Sequence, residues 1–157
     1  MKKVLLVELF AYHHECLYPQ IRFLKDAGVD LTLVTNQKLK KAIDALVLDF
    51  EVTYCDFSKL SSFFALRSFI IKNKFEIVIL NTIQGSSALK FSFLPLPKWV
   101  KVVGTLHDTS KLETSAGQRM ISKKYNRFST LSKYIQTPPM EKMRLETWKI
   151  GSGGKQM

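Results

Sequence analysis

Short apolar runs recur along this chain, each followed by a stretch whose apolar residues fall at helical spacing. That alternation restricts the fold more than any other feature. Val4-Leu5-Leu6-Val7, led in by Lys2-Lys3, is apolar at every position, as a strand covered on both faces must be. Leu17, Ile21 and Leu24 then repeat at helical spacing, and Asp26-Ala27-Gly28 supplies a glycine that stops a helix. Val29 to Thr35 reads as a second strand, Gln37 to Leu48 as a second helix and Phe50 to Tyr54 as a third strand. Ser58 is placed to cap a helix carrying Phe63, Leu66, Phe69 and Ile70, and Ile77-Val78-Ile79-Leu80 is another buried-strand run. Gly85-Ser86-Ser87 opens a short helix, and Pro95 and Pro97 break the chain before a fifth strand over Trp99 to Gly104. A helix over 115–125, a sixth strand over Arg127 to Leu131 and a helix capped by Ser132 follow. Strands and helices alternating in this way imply βαβ units with right-handed crossovers. The expected fold is therefore α/β: a doubly wound, mainly parallel sheet of about six strands with helices on both faces.

Size and composition agree with one such unit. The chain has 157 residues, 46% of them hydrophobic, which is enough to bury a core without metals or disulfides and excludes intrinsic disorder. No stretch reaches the length of apolar sequence that a spanning helix needs, and Val4 to Val7 is too short for the core of a signal peptide, so a cytoplasmic chain is expected. Cys16 and Cys55 lack any CxxC or histidine-rich context and read as two buried thiols. The domain is expected to cover residues 1–136. Beyond it, Thr137-Pro138-Pro139 breaks the chain, Met140 to Ile150 has helical amphipathicity and Gly151 to Gly154 is flexible, so 137–157 reads as a basic helix and tail.

The formal charge is +11, and most of it is terminal: residues 111–157 carry 10 basic and 3 acidic groups, whereas residues 1–37 carry 4 of each. Such a segment is either a solvated surface or one that tracks phosphates, anionic lipid or an acidic partner.

Ligands of doubly wound sheets bind outside the carboxyl ends of the strands, which selects the residues to inspect. After strand one come Tyr12, His13 and His14, after strand four Asn81, Thr82, Gln84 and Gly85, and after strand five Thr105, His107 and Asp108. The first loop has neither GxGxxG nor GxxxxGK[ST], which disfavours a dinucleotide enzyme or a P-loop enzyme, and no GxSxG nucleophile elbow is present. His107, beside Asp108, has the chemistry of a base or of a cationic donor to substrate, or else of a structural histidine bonded to a loop carbonyl. Either of His13 and His14 can face a cleft while the other is solvated. Asn81 and Thr82 suit a hydroxyl-rich ligand but are equally common as turn residues. Phe63, Phe64, Phe69, Phe91 and Phe93 read as core rather than as a stacking platform.

Four strings taken in order carry a resemblance. "AGVDLTLVT" after the opening strand and helix, "NKFEIVILN", "VVGTLHD" and "STLSKYI" are similar to segments of the N-terminal domain of GT-B retaining glycosyltransferases of family 4, across about residues 1–136. The resemblance implies a Rossmann-like half of a two-domain enzyme that transfers a sugar from a nucleotide-sugar donor to a glycan or lipid-linked acceptor. In it, this domain binds the acceptor, and His107 and Asp108 stand at the strand end nearest the reaction. It further implies no metal and no cofactor, with the nucleotide sugar as co-substrate bound mainly by a second, C-terminal domain or separate subunit. Polysaccharide biosynthesis at the inner membrane face, with the basic flank touching an anionic membrane surface, is implied as well, and no specific nucleic acid. The loop Phe10-Ala11-Tyr12-His13-His14 lacks the glycine pair that many relatives place beside the donor phosphate. No second domain follows, so the chain is expected to be inactive alone, as an expressed half, a truncated reading frame or one part of a split enzyme. The alternatives are a non-catalytic α/β binding module and a nucleic-acid binder using the terminal charge.

Overall fold

The computed structural model describes residues 2–11, 14–83, 85–106 and 127–130. Six strands form one sheet in the order β3-β2-β1-β4-β5-β6, and every neighbouring pair is parallel. They are β1 (Lys3–Glu8), β2 (Asp30–Asn36), β3 (Val52–Cys55), β4 (Ile77–Leu80), β5 (Lys101–Leu106) and β6 (Arg127–Thr130). The strand order reverses between β1 and β4, the switch point of a doubly wound sheet, as the alternating pattern implies.

Side-chain alternation along β1 divides the core in two. Val4 and Leu6 join Leu31 and Leu33 of β2 and pack against Leu17, Ile21 and Leu24 of α1 (His14–Asp26) and Ile43 of α2 (Lys40–Asp44). Leu5 and Val7 point the opposite way and join Phe63, Leu66 and Ile70 of α3 (Leu60–Lys72) and Ala88 and Phe91 of α4 (Gly85–Ser92). Uniformly apolar strands are explained by these two faces, since a period-2 element buried on both sides has no polar position to spare.

The element boundaries differ from expectation in ways that have local causes. The segment expected as one helix over Gln37 to Leu48 is a 3-10 turn, Gln37–Leu39, followed by the five-residue α2. The Asn36 side chain accepts a bond from the Lys38 amide, which tightens the entry, and Val47 ends the segment at φ +47°. Ser58 does not cap α3. Its amide and hydroxyl both bond to Asp56 Oδ1, at 3.1 and 2.6 Å, and Lys59 occupies the capping position without a side-chain bond. Strand β5 starts at Lys101 rather than Trp99 because the Val100 amide bonds to the Pro97 carbonyl at 3.0 Å, closing a turn first. Strand β3 starts at Val52 rather than Phe50, opposite Leu33 of β2. Cys16 and Cys55 form no disulfide and are only half-buried, and burial raises the Cys55 thiol above its usual value. Phe63 and Phe91 are core and Phe69 packs against it, but Phe64 and Phe93 are 55% and 64% exposed, so the core reading fails for those two. The tail over 137–157 and the expected helices over 115–125 and after Ser132 lie outside the described residues.

Gly28 ends α1 as expected: its amide bonds to the Lys25 carbonyl at 2.9 Å with φ at +66°. A Cβ there would meet nothing within 4 Å. The cost of Gly28→Ala is therefore conformational alone, about 1–2 kcal/mol. A urea titration should show that loss, and an unchanged midpoint would mean that the left-handed turn is not required.

Candidate functional site

Register brings polar side chains together where the sheet ends. Glu8 stands opposite Thr35 of β2, and on its other side the Asn81 amide extends the β1–β4 ladder by bonding to the Val7 carbonyl at 2.9 Å. Leu80 pairs with Gly104, so Thr105 stands beside Asn81. Thr35, Glu8, Asn81 and Thr105 thus form a row on the α1 face, and all four are fully buried.

Glu8 organises the middle of this row. Its Oε1 accepts from the Phe10 amide at 2.8 Å, and its Oε2 accepts from Thr82 Oγ1 at 3.2 Å and from the Asn81 side-chain amide. Burial pushes its pKa up to about 7 against the opposing pull of the Asn81, Phe10 and Thr82 hydrogen bonds. No cation among the described residues contacts it. Gln20 reaches down from α1 and donates from Nε2 to Thr105 Oγ1 at 3.1 Å. Its own Oε1, like Thr35 Oγ1, has no partner among the described residues. The row ties the loops after β1 and β4 to each other and to α1.

A cleft of about 340 Å³ opens at the same edge of the sheet. Its walls come from Leu9, Phe10 and Ala11 after β1, Asn36 and Lys38 after β2, Phe57 and Ser58 after β3, and Ser86, Ser87 and Lys90 of α4. Asn36 fixes two of these walls at once, donating from Nδ2 to the Leu9 carbonyl at 3.0 Å while accepting from the Lys38 amide. The Lys90 ammonium lies 3.5 Å from the Ser58 carbonyl and 5.9 Å from the centre of the Phe63 ring.

Of the residues singled out in the sequence, Asn81, Thr82 and Thr105 come together at the carboxyl edge, but their side chains are buried and are engaged by Glu8 and Gln20. Gly85 opens α4 beside the cleft, and the backbone of His14 opens α1. Tyr12, His13, Gln84, His107 and Asp108 lie outside the described residues. Sequence reasoning missed Glu8, Gln20, Asn36, Lys38, Ser58 and Lys90. The loops after strands two and three held the signal for three of them, because the same carboxyl-end rule applies there.

No protein-family model matches this sequence, and a search of curated proteins gives no match. Among solved structures, a crystal structure of MurG from Acinetobacter baumannii is similar, with a TM-score of 0.59 and 11% identity over 83% of this chain and 41% of that one. The chain therefore spans about two fifths of that structure's length. At this identity the likeness is one of fold: the two share a Rossmann-like α/β architecture, and nothing in it points to family 4. Among the described residues, no helix is long and apolar enough to cross a membrane.

Proposed function

We propose that this chain is the acceptor-binding half of a GT-B glycosyltransferase, built to face a donor-binding domain across the carboxyl edge of its sheet. The observation that carries this reading is the cleft bounded by the ends of β1, β2 and β3 and the start of α4, in a fold shared with half of MurG. Its hydroxyls and ammonium groups suit a hydroxyl-rich acceptor, and its half-buried Phe10 and Ala11 give a sugar ring or lipid-proximal group an apolar surface to rest on. Resemblance to family 4 narrows the reading further, to transfer from a nucleotide sugar held mainly by a partner domain or subunit, with no metal. It also favours a glycan or lipid-linked acceptor, polysaccharide biosynthesis and work at the inner membrane face.

In this reading His107 and Asp108, which follow β5 in the chain, contribute to the reaction centre, with His107 as a base or as a donor to substrate. The buried row gives that centre a fixed floor: Glu8 holds the Phe10 amide and the Asn81 and Thr82 side chains in one arrangement. Because positioning and charge stabilisation supply most of the rate gain in such transfers, half a cleft is expected to have little or no activity. The test joins this chain to a GT-B donor-binding domain and follows transfer of labelled sugar from nucleotide sugars to lipid and glycan acceptors. Transfer by the pair, absent from either half and lowered more than tenfold by His107→Ala, is the expected result. A loss below tenfold, about 1.4 kcal/mol, removes His107 from the chemistry. Binding of glycan acceptors without transfer by any pair favours the non-catalytic module.

A further inference from the structure

Resting on the acceptor-cleft reading, we infer that the cleft takes a phosphate group, held between the ammonium groups of Lys38 and Lys90 with Ser86 and Ser87 supplying hydroxyl donors. Two lysines line one cleft of about 340 Å³, and neither has a carboxylate partner among the described residues. The ion pairs that are formed, Lys25 with Asp49, Lys40 with Asp44 and Lys59 with Asp56, all use residues outside the cleft lining. Two like charges on the walls of one cleft repel each other, and an anion bound between them offsets that repulsion.

The surroundings are arranged for such an anion. Asp56, two residues from the cleft's Ser58, is committed: its carboxyl is held below the ordinary range by the Ser58 side-chain and backbone hydrogen bonds, with Lys59 adding to the effect. The first turn of α4, where Ser86 and Ser87 stand, contains no acidic residue to compete for its free amides. Lys90 is oriented by the Ser58 carbonyl and the Phe63 ring, and Lys38 is anchored at its amide by Asn36. A phosphate accepts charge-assisted bonds from ammonium and hydroxyl groups together, which a neutral sugar hydroxyl cannot match.

The test uses the 157-residue chain, ¹⁵N-labelled, titrated separately with glucose 1-phosphate, inorganic phosphate and glucose, reading amide shifts of Lys38, Ser86 and Ser87. Both phosphates are expected to shift these signals while glucose does not, and binding should weaken as salt rises from about 50 to about 200 mM. Lys38→Ala and Lys90→Gln should each weaken glucose 1-phosphate binding about fivefold or more, and Lys90→Arg should retain it, which separates loss of charge from loss of packing on Phe63. Flotation with vesicles of phosphatidylcholine containing phosphatidylglycerol separates the sources of the phosphate. Loss of both vesicle and sugar-phosphate binding in the Lys38→Ala/Lys90→Gln variant assigns a lipid headgroup, and loss of sugar phosphate alone assigns a soluble or sugar-borne phosphate. Equal shifts with glucose would overturn the phosphate assignment and leave the acceptor cleft standing. No shift with any of the three ligands, or binding that survives both substitutions, would overturn the site itself.

Discussion

Replacing Glu8 with glutamine should abolish most of a pH dependence of stability that the parent protein shows between about pH 4.5 and 7. The folded-state pKa of Glu8 is raised from 4.5 to about 7, chiefly by burial. Between those values the native state holds a proton that the unfolded chain has released, so the stabilisation is complete below 4.5 and is lost as pH rises through about 7. The gap corresponds to about 3 kcal/mol. Asp44, Asp49 and Asp56 have lowered pKa values that act at more acid pH, and they are common to both proteins, so the difference between parent and variant isolates Glu8. Glutamine keeps an acceptor for the Phe10 amide and, with the Asn81 amide turned over, a donor for its oxygen. Glu8→Gln is therefore expected within about 1 kcal/mol of the parent near pH 5 and more stable than it near pH 8. Alanine leaves the Phe10 amide and the Asn81 and Thr82 donors without their acceptor, at a cost of about 3 kcal/mol or more near pH 5. Chemical denaturation of the three proteins at several pH values gives the answer, and parallel pH curves for parent and Glu8→Gln would refute the assignment.

The same residue marks where the sequence stops being legible. The alternation of strands and helices and the two-sided core follow from the uniformly apolar runs Val4 to Val7 and Ile77 to Leu80 and from the helical spacing of Leu17, Ile21 and Leu24, which the sequence displays openly. The boundaries that slipped were decided by single hydrogen bonds, such as Asn36 to the Lys38 amide or Val100 to the Pro97 carbonyl, which no periodicity encodes. An acid after an apolar run reads as a solvated strand end. Only the register that sets Glu8 beside Asn81 reveals a carboxyl buried among its donors. Asn81 and Thr82 read as ligand contacts for the same reason: the carboxyl-end rule locates the edge of the sheet but not which face of it stays open. The open face is lined instead by Lys38, Ser58 and Lys90, contributed by two loops and a helix distant in sequence and joined only by the crossovers.

Adjacent phenylalanines in α3 should respond to substitution in opposite ways. Phe63 has no exposed surface, lies 5.5 Å ring to ring from Phe57, and supports Lys90 from below. Phe63→Ala removes a ring from the core shared by β1, β4, α3 and α4 and leaves a cavity between packed neighbours, at an expected cost of about 3–5 kcal/mol. Phe64, one residue on and 55% exposed, faces away from that core, and Phe64→Ala should fall within about 1 kcal/mol of the parent. The helical step of about 100° per residue produces this contrast, because two neighbours cannot both occupy a stripe only that wide when the flanking core positions are Leu66 and Ile70. Thermal and urea unfolding of the two variants measures it directly. Equal losses would place Phe64 against a surface that the described residues do not include, whereas a large loss at Phe63 alone confirms that the wall beneath the cleft is part of the core.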